Sequence, residues 1–106
     1  MILVYIPCSS KKEADYIGSH LVNKRLCGCV NIFGPIQSIS WWPPAKNKLN
    51  KAREYVIIAK TIERMYQRIE TEVVKIHSYE SPCIIAIELK KAYKPYLKWL
   101  EGEIAL

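Results

Sequence analysis

At 106 residues and 12.3 kDa the chain has the length of one domain, which predicts a single domain over residues 1–106 and excludes a multidomain architecture. Half of the residues are apolar and a quarter are charged, so the composition is that of a folded protein and not of a disordered chain. The 16 Lys and Arg against 10 Asp and Glu give a net charge of +6, which fits either an anionic partner or a basic domain whose charge serves solubility.

The first apolar run and the cysteines indicate the cellular compartment of the protein. Residues 2–6 are too few for a signal peptide or a membrane-spanning helix, and no basic leader precedes them. We therefore expect a cytoplasmic protein without a membrane partner. Four cysteines in a chain with this apolar content predict reduced thiols. The motif Cys27-Gly28-Cys29 lacks the spacer of common zinc and redox motifs, so we interpret its cysteines as small buried residues.

The first half of the chain predicts a strand, a helix and a second, long strand. The first apolar run is rich in β-branched residues, as central strands are. Ser10 and Glu13 have the spacing of a capping box, and apolar residues follow them at helical intervals until Gly28, where we expect a left-handed cap. Residues 29–42 are β-rich, and Gly34 followed by proline predicts a bulge or kink.

The middle of the chain predicts a loop, a strand and a helix. Residues 43–53 carry four positive charges and no negative charge and begin with two prolines, so they predict a loop or hairpin tip. Residues 54–60 contain an apolar run that predicts a buried strand. Thr61 is expected to cap an amphipathic helix, which ends at the turn formed by residues 77–82.

The end of the chain completes the predicted fold. Alternating apolar residues from Cys83 predict a strand, and Pro95 predicts the start of a last helix. The resulting order is β-α-β-β-α-β plus a C-terminal helix. Two split β-α-β units place both long helices on one face of a four-stranded antiparallel sheet, so we expect an α+β, ferredoxin-like sandwich.

The hairpin between the second and third strands predicts an oligomer. It is long, and its apolar residues exceed what two helices on one face can cover. Phe33, Trp41 and Tyr55 are aromatic residues of the kind found in protein interfaces. We therefore expect these three residues to contact other copies of the chain.

The order of these motifs resembles the CutA family of divalent-cation tolerance proteins over nearly the whole chain. The residues that carry the resemblance are Cys29-Val30-Asn31-Ile32, Ser38, Trp42, Glu54, Lys60-Thr61, His77-Ser78-Tyr79-Glu80-Ser81-Pro82 and Tyr96-Leu97-Lys98-Trp99. The resemblance implies a ferredoxin-like protomer in a homotrimer that is similar to the PII signalling proteins. It also implies a non-enzymatic role in the binding of divalent metal ions, copper especially, in metal tolerance or signalling.

The resemblance makes His77 the first candidate metal ligand, with Cys8 or Glu80 as a second. Imidazole, thiolate and carboxylate together suit a copper or zinc ion. Family members that bind copper use a cysteine at the end of the first strand and paired histidines, whereas this chain has Ile6 and Ile76 at two of those positions. The alternative is that His77 caps its own helix.

Tyr79, Lys60 and Trp42 are the candidates for binding a small ligand. Tyr79 offers aromatic area and a hydroxyl donor in a pocket between subunits. Lys60 is expected to form an ion pair with Glu80 or to bind an anion. Trp42 either packs within the protein or stacks on a ligand.

Other function classes stay open as alternatives. A trimeric scaffold would bind a partner through its basic tip, and a PII-like module would bind a small ligand or an anion. Nucleic-acid binding is disfavoured, because residues 54–60 lack the paired aromatic residues of RNA-recognition strands. Catalysis is not expected, since the chain has two histidines and no nucleophile elbow. No glycine-rich phosphate-binding loop is present.

Overall fold

The predicted order of elements is confirmed. The structure, a computed structural model, describes residues 1–42 and 47–106. Its elements are β1 (Ile2–Cys8), α1 (Lys11–Asn23), β2 (Cys29–Trp41), β3 (Leu49–Thr61), a 3-10 turn (Glu63–Met65), α2 (Tyr66–Ile76), β4 (Ile85–Glu88) and α3 (Lys94–Glu103). Within these ranges no helix has both the length and the apolar character needed to cross a membrane.

The four strands form an antiparallel sheet in the order β2-β3-β1-β4, which confirms the α+β, ferredoxin-like arrangement. Strand β1 is central, as its continuous apolar sequence predicts, and it pairs with β3 from Ile2↔Thr61 to Cys8↔Tyr55. One face of β1 and β3 packs against α1 and α2 in a single apolar core. Strand β4 is shorter than the run predicted from Cys83, because it pairs with β1 through four residues.

The hairpin of β2 and β3 is long, since each strand has 13 residues. The register of the pair shifts between Phe33 and Ile36, around the cis peptide bond of Gly34-Pro35, so the predicted bulge is confirmed. The predicted loop over residues 43–53 is too long, because β3 already starts at Leu49 and continues the ladder. Regular pairing with β2 outweighs the polar composition of these residues. Residues 43–46 of the predicted tip lie outside the described residues.

Two predicted helix caps are wrong. The residue with positive φ after α1 is Arg25, at 57°, whereas Gly28 is needed because a Cβ there would lie 2.4 Å from the Cδ1 of Leu100. Thr61 ends β3, and its hydroxyl donates a buried hydrogen bond of 2.7 Å to the carbonyl of Leu26. In both cases contact with a distant segment decides the role of the residue.

The residues predicted for an interface differ in exposure. Phe33 is 44% exposed and Trp41 is 62% exposed, so both present large apolar surfaces in one chain. Tyr55 packs against the core of its own chain, where a Cβ on Gly34 would lie 2.7 Å from its ring. Phe33 and Trp41 are therefore the more exposed residues of this set, and Tyr55 is half-buried.

Candidate functional site

Cys8, Glu13 and His77 form a compact group with the chemistry of metal ligands. Their ligand atoms lie within 4.8 Å of one another. Cys8 is the last residue of β1, Glu13 lies in the first turn of α1, and His77 directly follows α2. The structure thus brings the predicted pair Cys8 and His77 together, but it places Glu13 beside them, while Glu80 is exposed and lies outside this group.

The start of α1 explains the position of Glu13. Ser10 is the N-cap, and its side chain accepts a hydrogen bond of 3.1 Å from the backbone N–H of Glu13. The Glu13 carboxylate turns back to Ser9, whose backbone N–H and hydroxyl both donate to it at 2.9 Å. Its other oxygen accepts from the backbone N–H of Ser78 at 2.7 Å. Glu13 therefore connects α1 to the turn that follows α2.

These bonds keep Glu13 ionised. Burial alone raises the pKa of its carboxyl, but hydrogen bonds from Ser78 and Ser9 outweigh burial and lower the pKa to about 2. The capping-box position of Glu13 predicts a helix cap, so Glu13 was not predicted as a site residue. The sequence feature that could have identified it as a site residue is its position a few residues after the predicted first strand, near Cys8.

His77 is buried, and both nitrogens of its ring have partners. Nε2 lies 2.9 Å from the carbonyl oxygen of Pro7, and Nδ1 accepts from the backbone N–H of Tyr79 at 3.0 Å. Because a carbonyl can only accept, the proton is on Nε2 and the imidazole is neutral. His77 is also the C-cap of α2, because its backbone N–H donates to the carbonyl of Val73 at 2.8 Å, so the helix-capping alternative is confirmed for the backbone. The ring itself binds the end of β1 and the turn after α2. A metal ion would replace one of these two partners.

The Cys8 thiol is protonated at neutral pH. Its side chain is fully buried, and the thiol lies 3.7 Å from the carbonyl oxygen of Ile6, to which it donates. Burial, followed by the charges of Glu13 and Glu54, raises the pKa of Cys8 to about 12. A metal ion that binds this sulfur would therefore displace its proton.

The ligand atoms of Cys8, Glu13 and His77 suit a divalent ion in their chemical type and in their distances from one another. One sulfur, one nitrogen and one carboxylate are ligands that zinc and copper accept. Ligand atoms of a tetrahedral zinc ion lie about 3.3–3.8 Å apart, which small movements reach from a group within 4.8 Å. Binding would exchange the present hydrogen bonds for metal bonds.

A groove of about 550 Å³ lies beside this group. Its lining residues are Pro7, Ser38, Ser40, Trp42, Asn50, Ala52, Glu54, Tyr79, Glu80, Ser81 and Cys83. Glu54 is 8% exposed, and its carboxylate accepts from the hydroxyls of Ser38 and Tyr79, the latter at 2.7 Å. Burial, followed by the bond to Glu54, raises the pKa of Tyr79. Trp42 and Tyr79, which were both predicted to bind a small ligand, thus line the same groove, and Glu80 lines it with them.

Lys60 lies away from that groove. It pairs with Leu3 and Cys29 in the sheet, six residues along β3 from Glu54, a distance of about 20 Å in an extended strand. Its ammonium lies 5.7 Å from the ring centroid of Tyr96. This placement contradicts the predicted ion pair with Glu80 within one chain.

The fold and the site together define a ferredoxin-like α+β protein with a candidate centre for a divalent cation at the junction of β1, α1 and α2. The family described as CutA1 divalent ion tolerance protein matches residues 2–103. The chain belongs to the CutA family of divalent-cation tolerance proteins, which confirms the resemblance seen in its motifs.

Two relatives and one solved structure illustrate the match. The divalent-cation tolerance protein CutA of Archaeoglobus fulgidus is 39% identical over 101 residues, which are 95% of each chain. That of Thermotoga maritima is 34% identical over 98% of this chain and 99% of the relative. The structure described as the periplasmic divalent cation tolerance protein CutA from A. fulgidus has a TM-score of 0.92 and 37% identity, over 99% of this chain and 100% of that one.

Proposed function

We propose that the chain is a non-enzymatic, cytoplasmic CutA protein, one domain over residues 1–106, that forms a homotrimer and binds a divalent ion at Cys8, Glu13 and His77. The observation that carries the proposal is the convergence of thiol, carboxylate and imidazole within 4.8 Å. Zinc or copper is the expected ion, because sulfur and nitrogen ligands favour these metals over magnesium or calcium. The four cysteines are free thiols, as in a reducing compartment.

The electrostatic surroundings support cation binding. Among residues 1–42 and 47–106, neither Glu13 nor Glu54 has a Lys, Arg or His nitrogen within 4.0 Å. Both carboxylates lie close enough to raise the pKa of Cys8. The chain carries a net charge of +6, yet this region is locally negative, which attracts cations.

Metal titration of the chelator-treated protein tests the proposal. Zinc is the first ion to use, because it does not oxidise thiols, and copper follows. We expect one zinc ion per chain, and at least tenfold weaker binding by His77→Ala, Cys8→Ser and Glu13→Gln. The heat should depend on the ionisation enthalpy of the buffer, because Cys8 releases a proton. Affinity should increase with pH.

His20→Ala is the matched control. His20 is the second histidine of the chain, and its ring lies 2.9 Å from Glu72 on the surface formed by α1 and α2. Its replacement should leave zinc binding unchanged. Equal heats from the wild type and His77→Ala would remove His77 from the site, and the absence of heat from the wild type would refute metal binding.

The proposed trimer is supported by the sheet face that the helices leave uncovered. Ile85 and Ile87 pair with Tyr5 and Leu3 on that face and are 50% and 48% exposed, and Phe33 is exposed on the same face. Apolar surface of this kind is typically covered by a partner. Light scattering should give about 37 kDa, three times the chain mass of 12.3 kDa. A 12 kDa particle at micromolar concentration would contradict the trimer.

The groove favours one further candidate function, the binding of a small molecule. Its volume of about 550 Å³ far exceeds that of a metal ion, and hydroxyl, amide and aromatic groups line it. The carboxylates of Glu54 and Glu80 disfavour the anionic ligand that a PII-like module was expected to bind.

A further inference from the structure

Glu54 is a buried carboxylate that has no cationic partner among residues 1–42 and 47–106. It is 8% exposed, and the donors that it accepts from are the neutral hydroxyls of Ser38 and Tyr79. Within residues 1–42 and 47–106 no ion pair includes it. Burial of a carboxylate is unfavourable unless a positive charge compensates it. Each of its oxygens accepts from one hydroxyl within the described ranges, and a carboxylate oxygen has a second lone pair that can accept from a ligand.

The rest of the groove suits an organic cation. Its volume of about 550 Å³ is within the usual range of small-molecule sites, about 300–1,000 Å³. Trp42 is 50% exposed and offers an aromatic face, which attracts ammonium groups. Ser40, Ser81 and Asn50 add neutral hydrogen-bonding groups around the carboxylate.

We propose that this groove binds a small organic ammonium ion, with Glu54 as its counter-ion and Trp42 as its aromatic wall. A bare hard divalent ion suits the groove less well, because such ions require about six or more oxygen ligands and Glu54 is the one buried carboxylate among the lining residues. The inference rests on the small-molecule function proposed above, and it uses none of the three candidate metal ligands Cys8, Glu13 and His77.

Calorimetric titration with 1,4-diaminobutane tests the proposal, and 1,4-butanediol serves as the uncharged probe of equal length. The wild type should bind the diamine and not the diol. Glu54→Gln should bind the diamine at least tenfold more weakly. Glu63→Gln, which removes the same charge from an exposed residue of the 3-10 turn, should stay within twofold of the wild type.

A second variant keeps the test decisive if Glu54→Gln does not fold. Trp42→Leu changes a half-exposed residue and should weaken diamine binding about threefold or more, since an aromatic–cation contact is worth about 0.5–1 kcal/mol or more. Equal diamine affinity in the wild type and both variants, equal binding of the diol, or no diamine binding at millimolar concentration would overturn the proposal. Cys8→Ser should lose zinc binding and keep diamine binding, so failure of the metal proposal and failure of the diamine proposal can be told apart.

Discussion

Replacement of Glu13 by glutamine provides a quantitative test of the candidate site. The carboxylate accepts two hydrogen bonds from Ser9 and one from Ser78. Burial opposes ionisation, but these bonds lower the pKa from its ordinary 4.5 to about 2. Since one unit of difference between the folded and unfolded pKa values is worth about 1.4 kcal/mol, the ionised carboxylate stabilises the fold by at most about 3.5 kcal/mol, and by about 2 kcal/mol after allowance for solvent screening.

The pH dependence of this stabilisation has a definite sign. The pKa of Glu13 is lower in the folded chain, so the stabilisation is complete above about pH 4.5 and is lost as the pH falls towards 2. Glu13→Gln should therefore be about 2 kcal/mol less stable than the wild type at pH 7. The difference should fall by about half at pH 3 and approach zero near pH 2.

Urea unfolding at pH 7 and pH 3 measures this difference, with a metal chelator and one fixed protein concentration. Asp15→Asn is the control, because it removes the same charge from an exposed carboxylate. That carboxylate forms an ion pair with Lys11 at 3.0 Å. The control substitution should change the free energy of unfolding by less than about 1 kcal/mol. Equally small losses of stability in both variants at pH 7, or a loss in Glu13→Gln that does not change with pH, would show that the ionised carboxylate does not stabilise the fold.

Further variants test the packing and the groove by urea unfolding at fixed protein concentration. Gly28→Ala should lose about 1–3 kcal/mol, because its Cβ overlaps a leucine of α3; a variant at least as stable as the wild type contradicts this. Gly102→Ala should gain up to about 1 kcal/mol, since its Cβ meets no atom within 4 Å in a helix. Tyr79→Phe should lose about 1–3 kcal/mol by removing a donor from buried Glu54. Tyr93→Phe changes a residue that is 78% exposed and should leave the free energy of unfolding unchanged. Equal losses in Tyr79→Phe and Tyr93→Phe would show that the hydrogen bond from Tyr79 to Glu54 does not stabilise the fold.

The order of elements and the family were predictable because they depend on local patterns. The helical spacing of apolar residues in α2 and the apolar run of β1 follow directly from backbone periodicity. Element ends were less predictable. Thr61 has good helix-capping chemistry, but its hydroxyl binds Leu26, 35 residues earlier. Local sequence propensity carries no information about partners this far away in the chain.

By itself, the sequence determined the strand and helix order, the bulge at Gly34, the family, and His77 with Cys8 as candidate ligands. The tertiary structure decided that Glu13 and not Glu80 joins them, and that Lys60 lies at the other end of the sheet. It also showed that Glu54 is a buried carboxylate whose partners, within the described parts of the chain, are hydroxyls. The physical reason is that a site is formed by residues distant in sequence, here 8, 13 and 77, whose approach depends on strand register and on helix packing.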